Sequence, residues 1–225
     1  MSDTTLASLV FAQAARTPGA VAVRQWDRAL TYAELVDRAG DVARHLAAAG
    51  VRPGQFVGVC LRREPELVVA ALGVLAAGAA YVPLDPRHPV RRLHDVAEDA
   101  ALAVAVADDD GERVLAGSGV RTVRADGVGI GTWSPLGTAD DVATVLYTSG
   151  STGRPKGVLT SNRSLIAWVR DAAGRCGAFA GMRAAATCSL GFDLVTADLW
   201  VTLTVGGAVQ LLGDADRADA VRLER

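Results

Sequence analysis

Lysine is almost missing from this sequence: of its 23 basic residues all but one are arginine, and the exception is Lys156. Acidic residues number 25, the formal charge is -2, and no basic block stands out. Without a basic stripe there is no electrostatic footprint for nucleic acid, which is set aside as a partner. Cysteine is scarce too. Cys60, Cys176 and Cys188 are odd in number and too far apart for a zinc or redox spacing, so they read as small buried residues in a reducing compartment. His45, His88 and His94 form no H-E-x-x-H pair, which excludes that class of hydrolytic metal site. The run Asp108-Asp109-Asp110 before Gly111 reads as a solvated turn, and no metal is assigned to it.

A membrane span is lacking as well. Leu67 to Leu84 carries no charge but is mostly alanine and glycine and contains Pro83, which suits a buried helix followed by a strand. The apolar stretch Leu6 to Ala15 follows Met1-Ser2-Asp3 rather than the positive start of a signal peptide, so it reads as an amphipathic helix, and the expected location is cytoplasmic. No low-complexity linker or solenoid repeat divides the chain. With 50% hydrophobic side chains it can bury one large core.

What is present is an alternation of helical and strand periods. Helices are expected at Thr4 to Arg16 and Thr31 to Ala49, the second opened by a capping box between Thr31 and Glu34. Then come strand Phe56 to Leu61, helix Pro65 to Ala77, strand Ala80 to Val82, helix Pro89 to Asp99 and strand Leu102 to Ala107. Loops with a short strand at Val120 to Val123 come after these. Further strands are read at Val142 to Thr148, Val158 to Thr160, Arg183 to Thr187 and Ala208 to Leu212, with helices at Ser161 to Arg175 and Leu194 to Val205. The pattern predicts an α/β fold of mostly parallel sheets flanked by helices.

The densest chemistry is Tyr147-Thr148-Ser149-Gly150-Ser151-Thr152-Gly153-Arg154-Pro155-Lys156-Gly157, directly after a β-branched strand. Gly150 and Gly153 let backbone N–H groups turn around an anion. The hydroxyls of Thr148, Ser149, Ser151 and Thr152 can donate to phosphate oxygens, and Lys156 can neutralise developing charge. A compact ammonium can enter a narrow space between oxygens that a guanidinium fork cannot. The loop is not a Walker loop, since Pro155 precedes Lys156 and Gly157 follows it, and Gly127-x-Gly129-x-Gly131 is not a dinucleotide fingerprint. A surface hairpin is the plainer alternative.

Thr148 to Gly157 resembles the phosphate-binding motif of the adenylate-forming acyl and aminoacyl ligases. Leu30-Thr31-Tyr32-Ala33-Glu34-Leu35 and Leu75-Ala76-Ala77-Gly78-Ala79-Ala80-Tyr81-Val82-Pro83-Leu84-Asp85 are similar to the first two motifs of one branch, the adenylation domains of nonribosomal peptide synthetases. The resemblance covers the chain but only the earlier motifs, implying an incomplete N-terminal core, residues 1–225, without the small C-terminal domain and its adenylation lysine. No catalytic residue is assigned. The implied reaction joins an amino acid to ATP, giving aminoacyl-AMP and pyrophosphate, before a phosphopantetheinyl carrier protein takes the acyl group. Implied with it are Mg²⁺, whose ligand belongs to the missing motifs, low activity of the chain alone, and a complementing downstream polypeptide.

By the same resemblance, Phe192-Asp193-Leu194 is similar to the motif whose aspartate holds the α-ammonium of the amino acid, with Leu194 and Ala197 as pocket walls. A helix N-cap is the structural alternative for Asp193. The departures are Val195 in place of Ser, Ala76 in place of Lys, and Asn162 in place of His; Asn162 can cap the helix that starts there. Two other functions remain open: an acyl-CoA synthetase-like ligase fragment, and a non-catalytic binding or scaffold module that keeps the fold.

Overall fold

Capping chemistry sets the first two helices. A computed structural model describes residues 4–125, 132–149, 155–191 and 194–212. In it Thr5 and Ser8 cap α1 (Leu6–Arg16) reciprocally. Ahead of α2 (Tyr32–Ala48) the Thr31 N–H donates to Glu34 Oε2 at 2.7 Å, and the Glu34 N–H to Thr31 Oγ1 at 3.2 Å. The hairpin β1 (Val21–Gln25) and β2 (Arg28–Thr31) lies between them.

The alternation predicted next is observed as β3 (Phe56–Cys60), α3 (Pro65–Ala76), β4 (Ala80–Pro83), α4 (Val90–Asp99) and β5 (Val104–Ala107). Beyond β5 the chain departs from the expectation in several places. Asp108 is not part of a turn but the N-cap of α5 (Asp109–Leu115), its Oδ1 accepting from the Gly111 N–H at 2.8 Å. Three acidic side chains in that first turn complement the helix dipole, which is why an acidic run starts a helix here. After β6 (Arg121–Val123) and β7 (Val142–Ser149), the next strand, β8, spans Pro155–Ser161 and so includes Lys156. Then come α6 (Asn162–Arg175), β9 (Arg183–Ala186), α7 and β10 (Ala208–Leu211). Helix α7 begins as Leu194–Thr196, widens into a π turn over Ala197–Val201 and closes as Thr202–Val205.

The described strands form two sheets, ordered β6-β5-β3-β4-β7-β8 and β2-β1-β10-β9. Both are parallel except for the pairs β7–β8 and β1–β2. The mostly parallel α/β architecture expected from the sequence is therefore present. Alternate residues of the larger sheet feed two cores. Val57, Val59, Tyr81, Val104 and Val106 join the main cluster with α1, α2 and α3, while Cys60, Val82, Leu84, Ala105 and Ala107 join a second under α4 and α5. Strands covered on both faces need apolar residues at every position. The same logic makes α3 apolar all round, since every residue from Leu67 to Ala76 is buried.

Polar ties fasten the helices to segments distant in sequence. The buried Tyr32 hydroxyl lies 2.8 Å from Gly207 O and 3.0 Å from Leu203 O, sharing its one hydrogen between them. The Trp200 indole donates to Tyr81 Oη at 3.2 Å. Asn162 does not cap α6; Ser161 does, accepting from the Ser164 N–H. Buried Asn162 instead accepts from the first N–H of α1, Leu6, at 3.0 Å, and its amide donates to Thr138 O and Asp141 O, both at 3.3 Å. It satisfies a helix start far away in sequence, where an imidazole would offer a different donor set. Of the cysteines Cys60 is buried, but Cys188 is only partly so and Cys176 is exposed. Burial, and after it the carboxylates Asp108 and Asp85, push the Cys60 thiol up to about 12. No described helix is long and apolar enough to cross a membrane.

Candidate nucleotide and substrate site

The carboxyl ends of β3, β4 and β7 lie on one edge of the six-stranded sheet, where open α/β sheets place their ligands. Strand β3 runs out into Leu61, Arg62 and Arg63, β4 into Leu84 and Asp85, and β7 into Thr148 and Ser149. A cavity of about 470 Å³ opens at this edge, bounded by Gln25 of the other sheet, Arg62, Asp85, Asp110 and the segment Ser189-Leu190.

Strand β7 ends on the first residues of the motif, Tyr147, Thr148 and Ser149. Its partner β8 puts Lys156 directly across from Thr148, and Gly157 across from Tyr147. Cross-strand partners share a face, so the Thr148 and Lys156 side chains stand side by side. Thr148 Oγ1 is 3.5 Å from Lys156 O, a long contact. Both residues are exposed, and among the described residues no carboxylate pairs with Lys156. Gly150, Ser151, Thr152 and Gly153, expected to cradle phosphate, lie outside the described residues. Ser149 ends β7.

Asp193, the expected ammonium anchor, also lies outside the described residues. Its neighbours are placed. Ser189 and Leu190 line the cavity, Leu194 opens α7, and Ala197 is the half-buried first residue of the π turn. An inserted π residue re-aims the side chains beyond it, and such turns recur at working sites.

Four features of this edge have no counterpart among the sequence-based expectations. Ser189 Oγ donates to Asp85 Oδ2 at 3.2 Å, tying the end of the second motif to the segment ahead of Asp193. Arg63 donates to Thr187 O at 2.5 Å. Asp198, in the π turn, is raised by burial, an effect opposed by the Thr187 N–H and Arg63. An aspartate five residues after Asp193 on a helix was the available signal, whereas nothing local marks Arg63. Lastly, Tyr147 donates its hydroxyl hydrogen to Asp99 Oδ2 at 2.6 Å.

Asp85 gives a pH prediction. Burial would raise its carboxyl, but Arg87 grips both oxygens, Nη2 at 2.6 Å and Nε at 2.9 Å, and adds its backbone N–H at 3.0 Å. These outweigh burial and lower the pKa from 3.8 to about 2. A lowered folded pKa means stability that is complete above the unfolded value and lost as pH falls through the folded one. With Arg87 half exposed, the contribution is roughly 1–2 kcal/mol. Asp85→Asn should lower the unfolding midpoint at neutral pH and flatten the loss of stability between about pH 4 and pH 2, read by thermal denaturation across pH.

The protein-family model described as AMP-binding enzyme matches residues 10–224. AMB antimetabolite synthetase AmbB of Pseudomonas aeruginosa is 43% identical over an alignment of 224 residues that covers 94% of this chain and 18% of that protein. A crystal structure of the nonribosomal peptide synthetase FmoA3 with AMPPNP bound superposes with a TM-score of 0.84 at 34% identity, over 92% of this chain and 22% of that one. The N-terminal subdomain of Klebsiella oxytoca NpsA, in complex with 3-hydroxybenzoyl-AMSN, superposes with a TM-score of 0.82 at 25% identity, over 93% of this chain and 54% of that one. The chain thus spans less than a fifth of the length of the curated relative and about half of the NpsA subdomain chain.

Proposed function

The chain belongs to the AMP-binding enzyme family, and on that premise we propose that it supplies the phosphate-binding part of an amino-acid-activating adenylation domain of a nonribosomal peptide synthetase. The observation that carries this reading is the pairing of Thr148 with Lys156, the sequence's one lysine, at the carboxyl end of β7. In the proposed reaction an amino-acid carboxylate oxygen attacks the α-phosphorus of ATP, the bond to the bridging oxygen breaks, and pyrophosphate leaves. A carrier-protein thiol then takes the acyl group from the adenylate.

Lys156 is read as offsetting negative charge on the phosphate tail, with the hydroxyls and amides from Thr148 to Gly153 around it. Asp193 is read as the partner of the substrate ammonium, with Leu194 and Ala197 beside it. Mg²⁺ is read as held by a ligand in the later motifs, as the resemblance implies. Residues 1–225 are read as the N-terminal part of a larger domain. The adenylation lysine that the resemblance assigns to a C-terminal domain has no counterpart in them, because Lys156 is the sole lysine and belongs to the phosphate motif.

A second reading, activation of an aryl acid, draws on the likeness to NpsA with its 3-hydroxybenzoyl ligand. ATP–pyrophosphate exchange separates the two. Assayed with each amino acid and with aryl acids, the chain alone is expected to be silent. The chain joined to a polypeptide carrying the later motifs is expected to exchange with amino acids. Exchange driven only by aryl acids overturns the substrate assignment, and exchange by the chain alone overturns the partial-domain reading.

A further inference from the structure

Among the described strands, β8 is paired on one side only, at the end of its sheet. Register in a strand is normally set by alternation, since a slip of one residue turns every side chain to the opposite face. Here that signal is weak: Val158 and Leu159 are consecutive, apolar, and 53% and 56% exposed. Alternation alone therefore leaves open which residue of β8 stands opposite Thr148.

The structure has another device for this. Tyr147 pairs with Gly157, the one glycine of β8, and its ring lies across the glycine. A Cβ added to Gly157 would stand 3.1 Å from Tyr147 Cζ, 3.3 Å from its hydroxyl and 3.0 Å from Val145 Cγ1. A slip in either direction would push the side chain of Lys156 or Val158 into that space. The far end of the ring is tethered by the 2.6 Å hydrogen bond to Asp99, at the C-terminal end of α4. The bond spans 48 residues and fastens the hairpin stem to a helix of the second core.

We propose that Asp99 and Tyr147 are positioning residues: their hydrogen bond closes the Tyr147 ring over Gly157 and so pins the register that sets Lys156 beside Thr148 for the phosphate groups of ATP. The proposal rests on the reading of Lys156 as a phosphate ligand. It does not require Tyr147 or Asp99 to touch the nucleotide. Burial and the Asp99 carboxylate both raise the Tyr147 pKa, so the hydroxyl stays a donor.

The scarcity of lysine supplies the test. Labelling with [α-¹⁵N]lysine gives a single amide resonance, that of Lys156, in the whole chain. The wild type is expected to show one sharp peak that moves on titration with pyrophosphate. Tyr147→Phe and Asp99→Ala each break the tether and are expected to split or broaden that peak without ligand, and to weaken pyrophosphate binding by about tenfold. Asp99→Asn keeps an oxygen that accepts from the hydroxyl and is expected to restore the single peak and the affinity. Should Tyr147→Phe fail to fold, Gly157→Ala tests the same seat by placing a methyl under an intact ring, with the same splitting expected. A single unshifted peak with wild-type affinity in Tyr147→Phe, Asp99→Ala and Gly157→Ala overturns the pin. Failure of pyrophosphate to move the wild-type peak overturns the phosphate-ligand reading instead, and the peak count in the variants still decides the register.

Discussion

Lys156→Ala is expected to weaken binding of pyrophosphate and of ATP by roughly ten- to a hundredfold while leaving the unfolding midpoint nearly unchanged. The binding estimate rests on the net worth of one charge-assisted hydrogen bond, about 1.5–3 kcal/mol. The stability estimate rests on place: Lys156 is exposed, and among the described residues its strand is paired on one side and no carboxylate depends on it. Lys156→Arg refines the result. It keeps the charge but spreads it over a planar fork on a longer, stiffer head, so it should recover only part of the affinity. In a chain that otherwise uses arginine for every basic position, full recovery would show that charge alone matters there. Calorimetric titration with pyrophosphate and with ATP checks both variants, and affinity unchanged by Lys156→Ala removes the residue from the site.

Legibility in the sequence divides along physical lines. Helix starts were legible because capping is local: Thr31 and Glu34 are three residues apart and do in the fold what their spacing implies. The parallel sheet was legible because strands buried on both faces must be apolar throughout. Lys156 was read as part of the loop, and it lies instead in β8. Pro155-Lys156-Gly157 has turn chemistry taken alone, and pairing with the long strand β7 overrides that preference. The π turn at Ala197 was invisible because one extra residue barely disturbs a helical period. The ties from Asp99 to Tyr147 and from Arg63 to Thr187 cross 48 and 124 residues, and a single sequence holds no local sign of such contacts. Asn162 shows the same limit. At the head of α6 it looks like a cap, and it is one in effect, but for α1.

The largest effect on stability is expected at Gly111→Ala, and it comes from the same edge of the sheet. Helix α5 is drawn so close to the end of β3 that a Cβ at position 111 would stand 2.0 Å from the Cys60 carbonyl oxygen and 3.0 Å from Ala107 Cβ. Neither neighbour is the loose end of a flexible side chain: one is backbone in a central strand, the other a buried methyl in β5. Relief requires α5 to lift, which loosens the Asp108 cap on the Gly111 N–H and withdraws Asp110 from Arg62 at the cavity rim. Overpacking of this kind costs about 3 kcal/mol or more, equivalent to a fall of very roughly 6–12 °C in Tm for a chain of this size. Gly174→Ala is the control. That glycine sits near the end of α6 with no heavy atom within 4 Å of an added Cβ, so the change should raise stability by about 0.5–1 kcal/mol through helix propensity alone. Opposite signs in urea or thermal unfolding are the expected result. A Gly111→Ala protein as stable as wild type would mean that α5 does not press on β3, and would take with it the placement of Asp110 and Arg62 beside the cavity.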